Sequence, residues 1–109
     1  MNLSESTSCT AKTRNIVRDI DFHLRQTLSP RRLEHSLETA SLCAGLCERF
    51  GVDPERGIIA GLGHDIAREY PRKDLLAEAA KDGLPVSAFE EERPVLLHGR
   101  AGAVVLRKA

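Results

Sequence analysis

Apolar residues recur along most of this chain at the spacing of amphipathic helices. Between Ala11 and about Leu28 they follow an i, i+4 rhythm, which predicts the first helix. A capping serine followed by proline, Ser29-Pro30, begins a second helix that runs to Phe50, and Gly51 is its expected stop. This helix is apolar on two sides, which predicts that it is the central helix of a bundle. Its apolar residues are Leu33, Leu37, Ala40, Ala44 and Cys47 on one side and Leu42 and Leu46 on the other.

A third helix begins at Asp53-Pro54. It is expected to end at Tyr70, because a residue that precedes proline avoids helical backbone angles. One ridge of this helix has almost no side-chain volume until its last member, and it consists of Gly57, Ala60, Gly61 and His64. Glycine inside a helix costs about 1 kcal/mol relative to alanine. The glycines of this segment, which also include Gly63, therefore indicate a packing or site requirement.

The rest of the chain is read as shorter helical segments. Pro71 opens a fourth helix with its stop at Gly83, and Ser87 to Glu90 has the form of a capping box. Pro94 begins a last, largely apolar helix. No segment has the pattern of a strand, a repeat or a linker. The sequence thus predicts an all-α bundle of about five helices over residues 12–109, preceded by a disordered tail at residues 1–11.

Composition narrows the classes of function. The chain has 109 residues, enough for one domain, and its formal net charge is zero. Neither nucleic acid nor a membrane surface is therefore expected as a partner. The N-terminus has no signal pattern, so the chain is expected to be cytoplasmic with reduced thiols at Cys9, Cys43 and Cys47. The i, i+4 spacing of the last two suits a core position, a shared metal or a redox pair.

Three of the four histidines occur at special places, near the ends of predicted helices. His35 is early in the second helix, on an apolar flank that should face inward, and His64-Asp65 closes the small-residue segment. His98 is early in the last helix, whereas His23 is expected to be an ordinary packing or surface histidine. A single inward histidine is usually a hydrogen-bonded core residue. Three of them with a carboxylate favour a site for Zn, Fe, Mn or Co.

The order of these residues resembles the HD-domain metal-dependent phosphohydrolase superfamily. Three segments resemble, more narrowly, the YqeK family of bacterial symmetrical bis(5′-nucleosyl)-tetraphosphatases. The resemblance extends over about residues 12 to 109. The three segments are Arg31-Arg32-Leu33-Glu34-His35-Ser36-Leu37, Gly61-Leu62-Gly63-His64-Asp65-Ile66-Ala67-Arg68-Glu69-Tyr70-Pro71, and Pro94-Val95-Leu96-Leu97-His98-Gly99.

The resemblance implies an all-α bundle around a divalent metal, commonly iron, with Mn, Co or Zn as alternatives. It implies that His35, His64 and Asp65 are metal ligands, with His64 and Asp65 catalytic. His98 is implied to bind a second metal or a substrate phosphate, and Arg68 and Arg32 to bind substrate. The implied reaction converts diadenosine tetraphosphate to two ADP by means of a metal-activated water.

The sequence departs from the family after His98, where it contains no further His, Asp or Glu. The family normally continues with more helices, another histidine and a final aspartate. The chain is therefore expected to be C-terminally truncated or a remnant that needs a partner. Two alternatives to an enzyme stay open, a non-catalytic binding or oligomerisation module and an incomplete fragment. Self-association is expected through the apolar surface of the last helix, which would lack its packing neighbours.

Overall fold

The computed structural model describes residues 9–108 of the chain. Within that range it contains α-helices and one short 3-10 helix, with no strand, which confirms the predicted all-α fold. The helices are α1 (Ala11–Thr27), α2 (Pro30–Arg49), α3 (Pro54–Gly63), α4 (Arg72–Ala80), α5 (Ala88–Glu92), the 3-10 helix (Pro94–Leu97) and α6 (His98–Arg107).

The predicted helix boundaries are set by local capping. The Ser29 hydroxyl accepts a hydrogen bond from the Arg32 N–H at the start of α2, and Asp53 caps α3 in the same way. Ser87 and Glu90 form the reciprocal capping box of α5. Gly51 and Gly83 both have positive φ, 73° and 76°, as expected of glycines that end helices.

Most of the predicted tail, residues 1–8, lies outside the described residues. Thr10 caps α1, its hydroxyl accepting a hydrogen bond from the Thr13 N–H. Two predicted helix boundaries were wrong. The third helix ends at Gly63 rather than at Tyr70. The Gly61 carbonyl bonds the His64 ring, and i→i+3 turns follow, such as the bond from the Arg68 N–H to the Asp65 carbonyl. The predicted last helix likewise opens as the 3-10 helix.

The most extensive contact between two helices is that of α2 with α3. Their close approach explains why two positions of α3 are glycine. A Cβ at Gly57 would lie 2.7 Å from the Cys47 Sγ, and one at Gly61 would lie 2.7 Å from the Ala40 Cα. Neither position leaves room for a side chain. The α1 helix packs on α3, and α4 packs on α6 and the 3-10 helix. The shared core includes Val17, Ile20, Leu24, Ala40, Leu62, Ala67, Leu75, Ala79, Leu97 and Ala101.

The second apolar side of α2 does not pack within the described chain. Leu42 and Leu46 are 64% and 47% exposed, so α2 is covered on one side only and is not fully central. In the predicted last helix, Val95 and Leu96 are exposed, whereas Val104 is buried and Leu106 packs on the core. None of the helices in residues 9–108 is both long and apolar enough to span a membrane.

Candidate metal centre

Residues from α2 and from the turn after α3 meet at one place. One ligand atom from each of His35, His64 and Asp65 lies within 4.8 Å of the others. The His35 and His64 rings stand edge to face, with centroids 5.3 Å apart. Contrary to expectation, His35 is exposed, whereas Asp65 is buried. The cluster is therefore open to solvent on the imidazole side and closed behind the carboxylate.

His98 reaches the same carboxylate from a third segment. Its Nε2 lies 3.5 Å from the Asp65 Oδ1, and the His64 Nε2 lies 3.5 Å from that same oxygen. The 3-10 helix packs on α4 and so delivers His98 to the cluster at the first residue of α6. Thus all four predicted ligand residues converge, although His98 lies outside the tightest group.

Backbone carbonyls orient two of the imidazoles in the same way. The His64 Nδ1 lies 2.7 Å from the Gly61 carbonyl oxygen, and the His98 Nδ1 lies 2.7 Å from the Val95 carbonyl oxygen. A carbonyl only accepts, so each Nδ1 must carry the proton. Each Nε2 then keeps its lone pair, which is the arrangement that holds a metal-ligating histidine in place. The donor set of imidazole nitrogens and one carboxylate therefore fits a divalent transition metal.

The second oxygen of Asp65 has a partner as well. The Arg32 Nη1 lies 3.3 Å from the Asp65 Oδ2, and the Asp65 side chain is only 5% exposed. A buried carboxylate needs such compensation. Arg32, which was predicted to bind substrate, therefore holds the carboxylate with its Oδ1 turned towards the histidines.

A polar groove opens beside the cluster, at the start of α2. Its volume is about 560 Å³, and it contains Arg68, the other arginine predicted to bind substrate. Glu69 accepts hydrogen bonds from the Ser29 N–H and hydroxyl at 3.0 and 2.8 Å. These bonds lower the pKa of Glu69, and the charges of Arg32 and Arg68 lower it further. The groove is lined by Ser29, Arg31, Arg32, His35, Arg68 and Glu69.

Sequence reasoning missed Arg31 as a residue of this groove. The available signal was its place in the first turn of α2, immediately before Arg32. His23 takes no part in the cluster, since its Nε2 bonds the Tyr70 hydroxyl at 2.7 Å, in keeping with a packing role. Cys43 and Cys47 are free thiols, and Cys47 packs against Gly57.

Known proteins that are similar to this chain include one tetraphosphatase and two ribonucleases. A symmetrical bis(5′-nucleosyl)-tetraphosphatase of Bacillus subtilis (strain 168) is 27% identical over 85 residues, 78% of this chain and 45% of that protein. Ribonuclease Y 2 of Pediococcus pentosaceus is 32% identical over 77 residues, 71% of this chain and 15% of that protein. Ribonuclease Y of Oleidesulfovibrio alaskensis is 38% identical over 63 residues, 52% of this chain and 12% of that protein.

The chain thus spans less than half the length of these curated relatives. No solved structure matches it significantly. The HD domain family matches residues 32–109, which is more than half of the chain and includes every residue of the cluster. This chain therefore belongs to the HD domain family of metal-dependent hydrolases.

Proposed function

We propose that this chain is a metal-dependent phosphohydrolase that cleaves dinucleoside polyphosphates, converting diadenosine tetraphosphate to two ADP. The observation that carries the proposal is the convergence of His35, His64 and His98 on the buried carboxylate of Asp65. Imidazole nitrogens and a carboxylate at this spacing have the chemistry of a site for one divalent metal, which we propose to be iron, with Mn, Co or Zn as alternatives.

In this proposal His35, His64 and Asp65 hold the metal, and His98 binds either the metal or a substrate phosphate. When bound, a divalent metal supplies a water of low pKa as the nucleophile and polarises the phosphoryl oxygen. Asp65 has one oxygen towards Arg32 and the other towards the histidines, so it is placed to orient the attacking water as well. His64 is kept in one tautomer by the Gly61 carbonyl.

The substrate class is inferred from two sources. The Bacillus subtilis relative is named as a symmetrical tetraphosphatase. Arg32 and Arg68 line the groove beside the cluster, and in this proposal they bind phosphates of the substrate. Guanidinium groups suit phosphate oxygens because they donate two parallel hydrogen bonds. The formal net charge of zero and the small number of aromatic residues argue against a long RNA substrate.

The test is metal analysis combined with turnover of diadenosine tetraphosphate. The protein is loaded with Fe, Mn, Co or Zn in turn, and bound metal and ADP release are measured. We expect one metal per chain and ADP as the only product. Asp65→Asn and His35→Ala should lose both metal and turnover, whereas the control His23→Ala should keep both, since His23 lies outside the cluster.

The other outcomes separate the alternatives. Bound metal without turnover would favour the non-catalytic binding module. Neither metal nor turnover from a cooperatively folded protein would refute the proposal. Cleavage of RNA instead of release of ADP from the tetraphosphate would move the substrate class towards that of the ribonuclease Y relatives. A cytoplasmic location and self-association near Val95 and Leu96 stay predictions, to be checked by fractionation and by light scattering.

A further inference from the structure

The groove beside the cluster has more positive charge than the cluster itself needs. Arg32 is paired with the buried Asp65 at 3.3 Å. Arg31 and Arg68 line the same groove, and within residues 9–108 neither forms an ion pair with a carboxylate. Both residues therefore offer their guanidinium donors to a ligand.

Glu69, the one carboxylate among the described residues that line the groove, offsets only part of the charge of the three arginines. Glu69 is already bound by the N–H and the hydroxyl of Ser29, the residue that caps α2. Its bonds join the start of α2 to the turn that carries Arg68, so Glu69 keeps the two walls of the groove together. The first turn of α2 adds the positive end of a helix dipole on the same side.

The arginines are arranged in depth. Arg32 is half-buried against Asp65, whereas Arg31, one residue earlier, is exposed at the mouth of the groove. A ligand phosphate at the metal cluster would therefore meet Arg32 first. A second or third phosphate of the same chain would extend outwards to Arg31, past Arg68, which is half-buried in the same groove lining. The groove volume of about 560 Å³ is in the range of sites that hold whole small molecules.

We propose that Arg31 and Arg68 form an outer phosphate subsite, so that the groove selects a chain of several phosphates over a single phosphate, with Arg31 as the specificity-determining residue. This inference rests on the proposed function for the identity of the nucleotide, but the subsite itself depends only on the groove. Arg31 is not assigned to the metal cluster. Its removal should therefore weaken the binding of a chain of phosphates more than the binding of a single phosphate, and should leave the cluster intact.

The test is calorimetric binding of inorganic tripolyphosphate and of orthophosphate to the metal-free protein at one fixed salt concentration. Metal-free protein is used because tripolyphosphate binds metals itself. We expect tripolyphosphate to bind at least about tenfold more tightly than orthophosphate. One additional charged hydrogen bond, from an arginine to a second phosphate, is enough for that difference. Arg31→Gln should reduce that preference to about threefold or less, and Arg31→Lys should restore part of it.

The matched control is Arg18→Gln, which removes the same charge from an exposed position on α1 outside the groove. It should leave the preference unchanged. An equal loss for both ligands in Arg31→Gln, no loss, or the same loss in Arg18→Gln would overturn the subsite. Turnover is a separate arm: if the metal-loaded protein hydrolyses no nucleotide, the proposed function fails while the binding result still decides the subsite.

Discussion

Replacing Gly61 by alanine tests whether close contact between α2 and α3 builds the metal cluster. Gly61 is a ridge residue of α3 that lies against the backbone of α2. A Cβ added there would be 2.7 Å from the Ala40 Cα, 2.9 Å from its N and 2.9 Å from the Thr39 carbonyl oxygen. All three neighbours are backbone atoms, so no side-chain rotation can relieve the clash. The helices must move apart.

The magnitude follows from two opposing effects. Alanine is favoured over glycine in a helix by about 1 kcal/mol. Overpacking a tight contact costs about 1–3 kcal/mol, and a backbone contact belongs at the upper end of that range. We therefore expect Gly61→Ala to lower the free energy of unfolding by about 2 kcal/mol. For a domain of this size that corresponds to a decrease in melting temperature of about 8–16 °C.

The assay is thermal and urea unfolding, with Gly45→Ala as the matched control. Gly45 is also inside a helix, but nothing lies within 4 Å of a Cβ added there. Only the helix preference acts at this position, so Gly45→Ala should raise the melting temperature, by about 4–8 °C. A metal titration of both variants adds a second readout. Since His35 is on α2 and His64 follows α3, only Gly61→Ala should weaken metal binding.

Opposite signs for the two substitutions are the essential result. If Gly61→Ala stabilised the protein as much as Gly45→Ala, the close contact of α2 and α3 would not exist in solution. If Gly61→Ala were destabilised but bound metal as tightly as the unmodified chain, the contact would serve the fold without positioning the cluster.

Three further substitutions test single features. Ser36→Ala should leave stability unchanged or raise it by up to about 1 kcal/mol in urea unfolding, because the buried Ser36 Oγ has no hydrogen-bond partner in residues 9–108; a clear loss would mean that the hydroxyl is bonded. Gly83→Ala should lower the free energy of unfolding by about 1 kcal/mol. The cause is its φ of 76° alone, because an added Cβ would meet nothing within 4 Å, and an unchanged urea midpoint would refute this. Arg100 bonds Asp82 with two nitrogens and lowers the pKa of Asp82 from 3.8 to about 2, so this pair stabilises the fold above pH 4 and the contribution is lost as the pH falls towards 2. The difference in unfolding free energy between the unmodified chain and Arg100→Ala should therefore shrink across that window, and a constant difference would contradict the assignment.

Prediction from the sequence worked best where the signal is local. Ser29 and Asp53 set the starts of α2 and α3, and Gly51 follows the end of α2 with a positive φ. These capping interactions involve only a few neighbouring residues. Prediction from the sequence failed at the end of α3, where a side chain takes up a backbone carbonyl of the helix. The end of α3 was predicted seven residues too late because the bond from the His64 ring to the Gly61 carbonyl is not visible in periodicity.

The candidate site shows the same division. The resemblance identified His35, His64, Asp65 and His98 as residues of one site, and the structure brings them together. It did not identify Arg31, which joins the groove only because the turn after α3 folds back against the start of α2.

The sequence by itself determined that the chain is helical, where most helices begin, and which polar side chains stand near their ends, because capping and apolar periodicity are short-range properties. The tertiary structure alone decided which of these side chains meet. Asp65 becomes buried between Arg32 and two histidines because glycines let α2 and α3 approach closely and because the packing of the 3-10 helix on α4 carries His98 inwards. The contacts of Asp65 with Arg32 and with His98 join residues more than 30 positions apart, and only the folded core can bring such distant groups together.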